Sequence, residues 1–230
     1  MPDALMLFAA GFGTRMGRLT ADRPKPLIRV GGRALIDHAL VLAEAAGVTR
    51  TVVNTHYLAG QVQAHLAGRD GITISHEAGA ILDTGGGLKR ALPLLEADTV
   101  FTLNSDAVWT GPNPLTRLAA AWAPDRMDAL LLLIDSGVAR GHSGTGDFAI
   151  GTGGCLSRGG TAVYTGAQIV KTRLLDDIDE AAFSLNRAWD RAIAAGRLFG
   201  ALHAGGWCDV GHPGGIAEAE AMLAEAAGDV

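Results

Sequence analysis

The sequence predicts an α/β fold: a single-domain, three-layer sandwich around a mixed, mostly parallel sheet, with a small β-hairpin insertion. Three observations carry this. Short apolar runs alternate with helical segments along the chain, the pattern of strand–helix units wound around a parallel sheet. The first run, ALMLFAA at residues 4–10, is apolar at every position, as a strand covered on both faces must be. The length of 230 residues and the hydrophobic content of 48% suit one well-buried core, and the whole span 1–230 is read as one domain.

The elements follow in order. After the strand at 4–10 comes a glycine-containing loop, 11–20, and then Pro24-Lys25-Pro26, which cannot lie inside a helix. Residues 35–46 place Leu35, Ile36, Ala39, Leu40, Leu42 and Ala43 on one helical face, and Gly47 is a natural stop. A second strand at 51–55, a helix at 58–66 and a short strand at 72–75 follow. Residues 85–95 open on glycines and continue as a helix, and 99–103 form a fourth strand that ends at Asn104-Ser105-Asp106. Residues 115–122 read as helix and 129–134 as another buried strand. The stretch 147–170 reads as a hairpin, with arms at 148–150 and 162–164 around a glycine-rich turn. Extended pieces at 199–202 and 207–210 lie between helices at 188–195 and 214–227.

Charge and composition narrow the function. A formal net charge of −5 argues against a nucleic-acid binder, which carries a basic face, yet allows a local basic pocket. The two cysteines, Cys155 and Cys208, form no metal-ligand spacing and suggest free thiols in a reducing compartment. No basic leader precedes the first apolar run, and no run approaches the roughly 20 residues that span a bilayer. A cytoplasmic protein without membrane partners is expected, as a monomer or homodimer.

The densest chemical signal follows the first strand. In Leu7-Phe8-Ala9-Ala10-Gly11-Phe12-Gly13-Thr14-Arg15-Met16, small residues let backbone N–H groups approach a polyanion, and Arg15 offers a planar guanidinium for phosphate oxygens. Lys25, between two prolines, is presented from a stiff support. The run lacks the G-x-x-x-x-G-K-[ST] of a P-loop. Gly11, Gly13 and Gly17 miss the dinucleotide spacing G-x-G-x-x-G by one, which disfavours a NAD-binding oxidoreductase. On glycines alone an ordinary strand–helix turn remains open; Arg15 and Lys25 tilt the reading towards phosphate.

Two carboxylates sit at predicted strand ends: Asp106 after residues 99–103, and Asp209 in Trp207-Cys208-Asp209-Val210-Gly211. Ligands of open α/β sheets bind outside the carboxyl ends of the strands, so both could reach one rim. In a chain with 24 acidic residues, a turn or helix-cap role for either stays open at this point. The same holds for Asp83-Thr84-Gly85-Gly86-Gly87, which opens a predicted helix and could meet a ligand with its N–H groups or simply start the helix.

The run L-x-A-A-G-x-G-T-R-M-x-x-L-T, followed by P-K-P-L, resembles the signature of the sugar-1-phosphate nucleotidyltransferases. The resemblance extends from about Leu5 to the final helix and implies the Rossmann-like nucleotidyltransferase fold. It implies that Gly11, Gly13, Thr14 and Arg15 line the NTP triphosphate, that Lys25 steadies the α-phosphate, and that Arg15 and Lys25 are the catalytic cations. Leu103-Asn104-Ser105-Asp106 and Trp207-Cys208-Asp209-Val210-Gly211 resemble the elements whose aspartates hold Mg²⁺ in that family, which makes Asp106 and Asp209 the expected metal ligands. Phe8 and Arg18 depart from the commoner aliphatic residue and proline, and His212 stands where threonine is common; its simplest role is at a helix start before Pro213.

Asp83-Thr84-Gly85-Gly86-Gly87 resembles the E-T-G-G-G element of one subgroup, the N-acetylmuramate-1-phosphate uridylyltransferases of peptidoglycan recycling. By that likeness Asp83, Gly85 and Gly86 contact the base. Gly144-Thr145-Gly146-Asp147-Phe148 resembles the subgroup's H-G-x-G-D-F element, with His142 displaced by Ser143. Asp147, Thr165 and Gly166, with Asn104, are then the expected sugar-phosphate residues. The implied reaction joins UTP and a sugar 1-phosphate at Mg²⁺ and releases pyrophosphate. Other readings are another NTP (dTTP or GTP) or another acceptor (glucose, mannose or choline phosphate), and a non-catalytic nucleotide-sugar sensor. The intact Lys25 and both aspartates oppose the sensor.

Overall fold

The computed structural model describes residues 1–228. Its centre is a nine-stranded sheet. Strands β1 (Ala4–Phe8), β4 (Arg50–Thr55), β5 (Ile72–His76) and β6 (Thr99–Asn104) run parallel, ordered β6-β1-β4-β5. On the other side of β6 lies the ten-residue β11 (Ala162–Lys171), antiparallel to it, with Ala167 opposite Leu103. Strand β8 (Ala129–Asp135) is antiparallel to β11, and β12 (Leu198–Leu202) is parallel to β8 at the far edge. Thus β11 runs against the main direction within an otherwise parallel core. Every residue of β8 except Asp135 is buried, as expected for a strand covered on both faces.

Helices cover both faces. Helix α1 (Leu35–Ala45), α2 (Ala59–Leu66) and α4 (Pro114–Ala121) bury Ala39, Val62, Leu66, Leu115 and Leu118 against one face. Helix α3 (Asp83–Leu95) and α5 (Asn186–Ala194) bury Leu88, Ala91, Leu95, Ala188 and Trp189 against the other. The start of α4 shows why the chain turns helical there. Asn113 Oδ1 accepts from Leu115 N (2.9 Å) and Thr116 N (3.2 Å), and Pro114 takes the first helical position, where its missing N–H and fixed φ cost nothing.

A third cluster lies at the carboxyl end of the parallel strands. Helix α6 (Pro213–Gly228) packs Ala219 and Met222 against Met16, Ile28, Val30 and Val210. Two small ladders support it, β2 (Arg29–Val30) with β3 (Arg33–Ala34) and β7 (Ala107–Trp109) with β13 (Trp207–Asp209).

The hairpin is assembled differently from the sequence expectation. Its arms are β9 (Phe148–Ile150) and β10 (Leu156–Arg158), while the run from Ala162 belongs to β11 and enters the central sheet. The polar and glycine positions Thr165, Gly166 and Gln168 interrupt its apolar pattern and hide its length. Two of them are buried with satisfied side chains: Thr165 Oγ1 donates to Leu132 O (2.7 Å), and Gln168 Oε1 accepts from Trp189 Nε1 (2.9 Å). Strands β2, β3, β7 and β10, which the sequence did not announce, have two or three residues each, too few to show a period.

Candidate active site

The segment after β1 leaves the sheet as an open loop and coils into 3-10 turns over Thr14–Thr20. Gly13 adopts φ 65, and a Cβ there would lie 2.9 Å from Lys25 Cβ and 3.0 Å from Thr20 Cγ2. Only glycine permits both the backbone conformation and this close approach. Thr20 Oγ1 donates to Gly13 O (3.0 Å) and Gly17 O (3.2 Å), which ties the coil to its own start. Gly11, Thr14 and Arg15 remain exposed beside it.

Lys25 opens a 3-10 turn, Lys25–Leu27, with Pro24 before it and Pro26 within it. Its side chain is buried, and Nζ donates to Asp106 Oδ2 at 2.7 Å. Asp106 lies just beyond β6, in a turn held by Ser105, whose Oγ and N–H both donate to Phe8 O (2.6 and 3.2 Å). The end of β6 is thereby fastened to the end of β1. Asp209 ends β13 opposite Ala107 in β7, and Val210 N–H donates to Asp106 O (2.9 Å). The two aspartates, 103 residues apart by number, are brought together through this small ladder. Gly211 lies between Asp209 and Arg15: a Cβ there would be 2.6 Å from Asp209 Oδ2 and 3.0 and 3.1 Å from Arg15 Nη1 and Nη2.

Burial pushes the Asp209 carboxyl up, and the charge of Asp106 adds to it; Lys25, Arg15 and His142 oppose the rise. Two adjacent carboxylates with incomplete cationic compensation suit a hard divalent cation. No third His, Cys, Asp or Glu joins them to form a cage among the described residues, so substrate oxygens would complete the coordination. Arg15, Lys25, Asp106 and Asp209 therefore converge on one point of the sheet rim.

Beside this point a cavity of about 230 Å³ is lined by Phe8, Ala10, Gly11, Asn54, Glu77, Ile81, Asp83, Thr84, Asn104 and Asp106. Its floor holds two groups that sequence reasoning missed. Glu77 is buried; its Oε1 accepts from Asn54 Nδ2 (2.8 Å) and its Oε2 from Leu82 N (2.9 Å). Asn54 Oδ1 in turn accepts from Ala9 N (2.8 Å). The available signal was an asparagine near the carboxyl end of an apolar strand, TVVNT.

Asp83 lines this cavity in a left-handed conformation, φ 59. Gly85 and Gly86 do not offer their N–H groups to it. Both donate to Phe183 O (2.8 and 3.0 Å), and both are buried against residues 181–183. The expectation that these two amides meet a base edge is corrected: the glycines let the 181–183 segment pack on the start of α3. Their neighbour Thr84 lines the cavity instead.

The expected sugar residues divide similarly. Asn104 lines the cavity, and Gly166 (φ 86) sits over it, its Cβ position 2.8 Å from Asn104 Cβ, Cγ and Nδ2. Thr165 is corrected as a side-chain ligand, because its hydroxyl is spent on Leu132 O inside the sheet. Asp147 is exposed but holds the hairpin: its Oδ2 accepts from Tyr164 N (2.8 Å). His212 caps α6, its Nδ1 facing Gly215 N at 3.2 Å.

The family model of the MobA-like NTP transferase domain matches residues 5–205, which spans the glycine loop, Lys25, Asp106 and the cavity. The chain belongs to the MobA-like NTP transferase family. It is therefore a nucleotidyltransferase. This family member is 42% identical, over 98% of both chains, to the N-acetylmuramate alpha-1-phosphate uridylyltransferase of Caulobacter vibrioides. It is 30% identical to the protein of that name from Neisseria meningitidis serogroup B, over 94% of this chain and 96% of the relative. Among solved structures, UDP-glucose pyrophosphorylase complexed with UDP-glucose superposes with a TM-score of 0.78 at 14% identity, covering 98% of this chain and 99% of that one. HddC from Yersinia pseudotuberculosis superposes with 0.77 at 18% identity, covering 96% and 99%. These likenesses establish the nucleotidyltransferase fold. No helix among the described residues is long and apolar enough to cross a membrane.

Proposed function

We propose that this protein transfers UMP from UTP to N-acetylmuramic acid 1-phosphate, giving UDP-N-acetylmuramic acid and pyrophosphate, in cytoplasmic recycling of cell-wall sugar. The observation that carries the reading is the 42% identity, over nearly the full length of both chains, to a relative named for that reaction. The rim of the sheet supports it with the groups that phosphoryl chemistry needs, Arg15, Lys25, Asp106 and Asp209.

The acceptor supplies its own nucleophile. A phosphate monoester has its second pKa near ~6, so near neutral pH its oxygen is already anionic and no general base is required. That oxygen bonds to the α-phosphorus of UTP as the bond to the β-phosphate oxygen breaks, and pyrophosphate leaves with that electron pair. The protein's part is positioning and charge stabilisation. Lys25, held rigid by its burial and by Asp106, steadies charge on the α-phosphate. Arg15, exposed beside Asp209, meets the leaving group. Asp106 and Asp209 would hold Mg²⁺, which supplies a Lewis acid for the phosphate oxygens. Asn104 faces the acceptor phosphate, and the cavity floored by Asn54 and Glu77 takes the base.

The deciding experiment measures pyrophosphate release with Mg²⁺, UTP and a panel of sugar 1-phosphates. Turnover of N-acetylmuramic acid 1-phosphate well above that of glucose 1-phosphate is expected. Preference for another sugar or another NTP would keep the enzyme class and discard the recycling role.

A further inference from the structure

Just beyond the Pro-Lys-Pro turn the chain forms the β2–β3 hairpin and enters α1. Here Arg23, Arg29 and Arg33 line a cleft of about 430 Å³ with Leu27, Gly32, Ala34, Asp37 and His65. All three arginines are exposed. Among the described residues, Arg29 Nη1 donates only to Gly32 O (3.3 Å), and none of the three takes part in an ion pair. Among the described residues the one carboxylate that lines the cleft, Asp37, is already engaged by Arg69 (2.9 Å) and His65 (2.9 Å). A molecule of net charge −5 thus gathers three unneutralised guanidinium groups around one opening. Arg33's charge is felt beyond the cleft: with burial, it helps to lower the pKa of His38, against a hydrogen bond to Val30 O. Guanidinium forks grouped this way match phosphate oxygens.

We propose that Arg23, Arg29 and Arg33 form a second anion site, which binds a phosphate-bearing small molecule and communicates with Lys25. The link is covalent and short. Arg23 and Leu27 line the cleft on either side of Lys25, and the turn between them is stiffened by Pro24, Pro26 and the bonds from Leu27 N to Pro24 O (2.9 Å) and Ile28 N to Lys25 O (3.0 Å). An anion that draws Arg23 and Arg29 together moves the ends of that turn, and Lys25 Nζ, 2.7 Å from Asp106, is carried on it. Occupancy of the cleft does not depend on which sugar the active site takes.

The test uses the full chain and inorganic pyrophosphate as probe, in a buffer free of divalent cations, by titration calorimetry. Because pyrophosphate is also the product that Arg15 and Lys25 meet, the titrations use the Arg15→Ala/Lys25→Ala background, in which the binding that remains belongs to this cleft. Adding Arg29→Ala/Arg33→Ala is expected to cost about tenfold or more in affinity at this site, at least the scale of one lost charge-assisted hydrogen bond. Arg23→Gln, with a matching melting curve, gives an independent variant. In steady-state assays, added inorganic phosphate is expected to change kcat in the wild type and to have a weaker effect in the Arg29→Ala/Arg33→Ala variant. No pyrophosphate binding in that background, or equal affinity there with and without Arg29→Ala/Arg33→Ala, would overturn the site. Loss of binding on adding Arg29→Ala/Arg33→Ala, with identical phosphate dependence of turnover in that variant and the wild type, would overturn its link to Lys25.

Discussion

Lys25 Nζ donates to Asp106 Oδ2 at 2.7 Å, and the lysine side chain is only 10% exposed against 31% for the aspartate. The cation is therefore the buried partner, fixed from below by the packing of Gly13 on its Cβ, while the carboxylate keeps an open side for a ligand. A donor held in place before the reaction contributes more in the transition state than in the ground state.

Lys25→Ala is expected to lower kcat by about 10²–10³-fold, the size of losing one transition-state donor, with a smaller change in KM. Steady-state kinetics with varied NTP measures both. A rise in KM with kcat unchanged would make Lys25 a uniform binder of phosphate.

Asp209→Asn should abolish turnover and raise the melting temperature at neutral pH. Burial and the neighbouring Asp106 charge push the Asp209 carboxyl up, so above its folded-state pKa the ionised group opposes folding. That cost fades as pH falls through the raised pKa and vanishes below the unfolded value, so the variant's advantage must shrink in acid. Each kcal/mol relieved corresponds to roughly 2–4 °C in a chain of this size. Melting curves from pH 4 to 8 without divalent cation give the answer; an unchanged or lower Tm at pH 7 would contradict it.

The parallel core was legible in the sequence because strands covered on both faces are unbroken apolar runs, as in residues 129–134. The rim was legible through a local pattern, since Gly13, Arg15 and Lys25 lie within 13 residues. What was not legible depends on partners distant in the chain. Gly85 and Gly86 looked like ligand-binding amides until Phe183 O took their N–H groups. Thr165 looked like a cleft residue until its hydroxyl met Leu132 O. Glu77 follows β5 without any motif, and only the fold brings it to Asn54.

Asp128 predicts an acid-dependent loss of stability away from the active site. It is buried and contacts Lys171 Nζ (3.1 Å), Arg173 Nη2 (2.7 Å) and Arg197 Nε (3.0 Å) where the starts of β8 and β12 meet the end of β11. Burial would push its carboxyl up, but Arg173, Arg197 and Lys171 outweigh it and hold it below the usual range. A depressed carboxyl stabilises the fold above the unfolded pKa near 4, and that stability is lost as pH falls through the folded value. Asp128→Asn should cost about 1–3 kcal/mol at pH 7, the size of weakening hydrogen bonds to a charged group whose cationic partners reach solvent, and the gap from wild type should narrow below pH 4. Urea denaturation at pH 7 and at pH 3 measures it, with turnover per folded molecule unchanged.

Glu77 offers the sharpest separation of binding from chemistry. A chain of hydrogen bonds runs from Ala9 N through Asn54 to Glu77 and on to Leu82 N, and so joins the loop after β1 to the start of α3 beneath the cavity. Both Glu77 oxygens act as acceptors. In Glu77→Gln one becomes an amide, which must face another donor, either Asn54 Nδ2 or Leu82 N. Rotating Asn54 to compensate would present its amide to Ala9 N instead. One buried donor is left unsatisfied in every arrangement, at a cost of roughly 1–3 kcal/mol. The cavity walls then lose their fixed spacing while Lys25 and Asp106 are untouched. The expected outcome is a lower melting temperature with a KM for the nucleoside triphosphate raised about tenfold and kcat changed little. If kcat falls instead while KM holds, Glu77 supports the reacting phosphates and not the base end of the cavity.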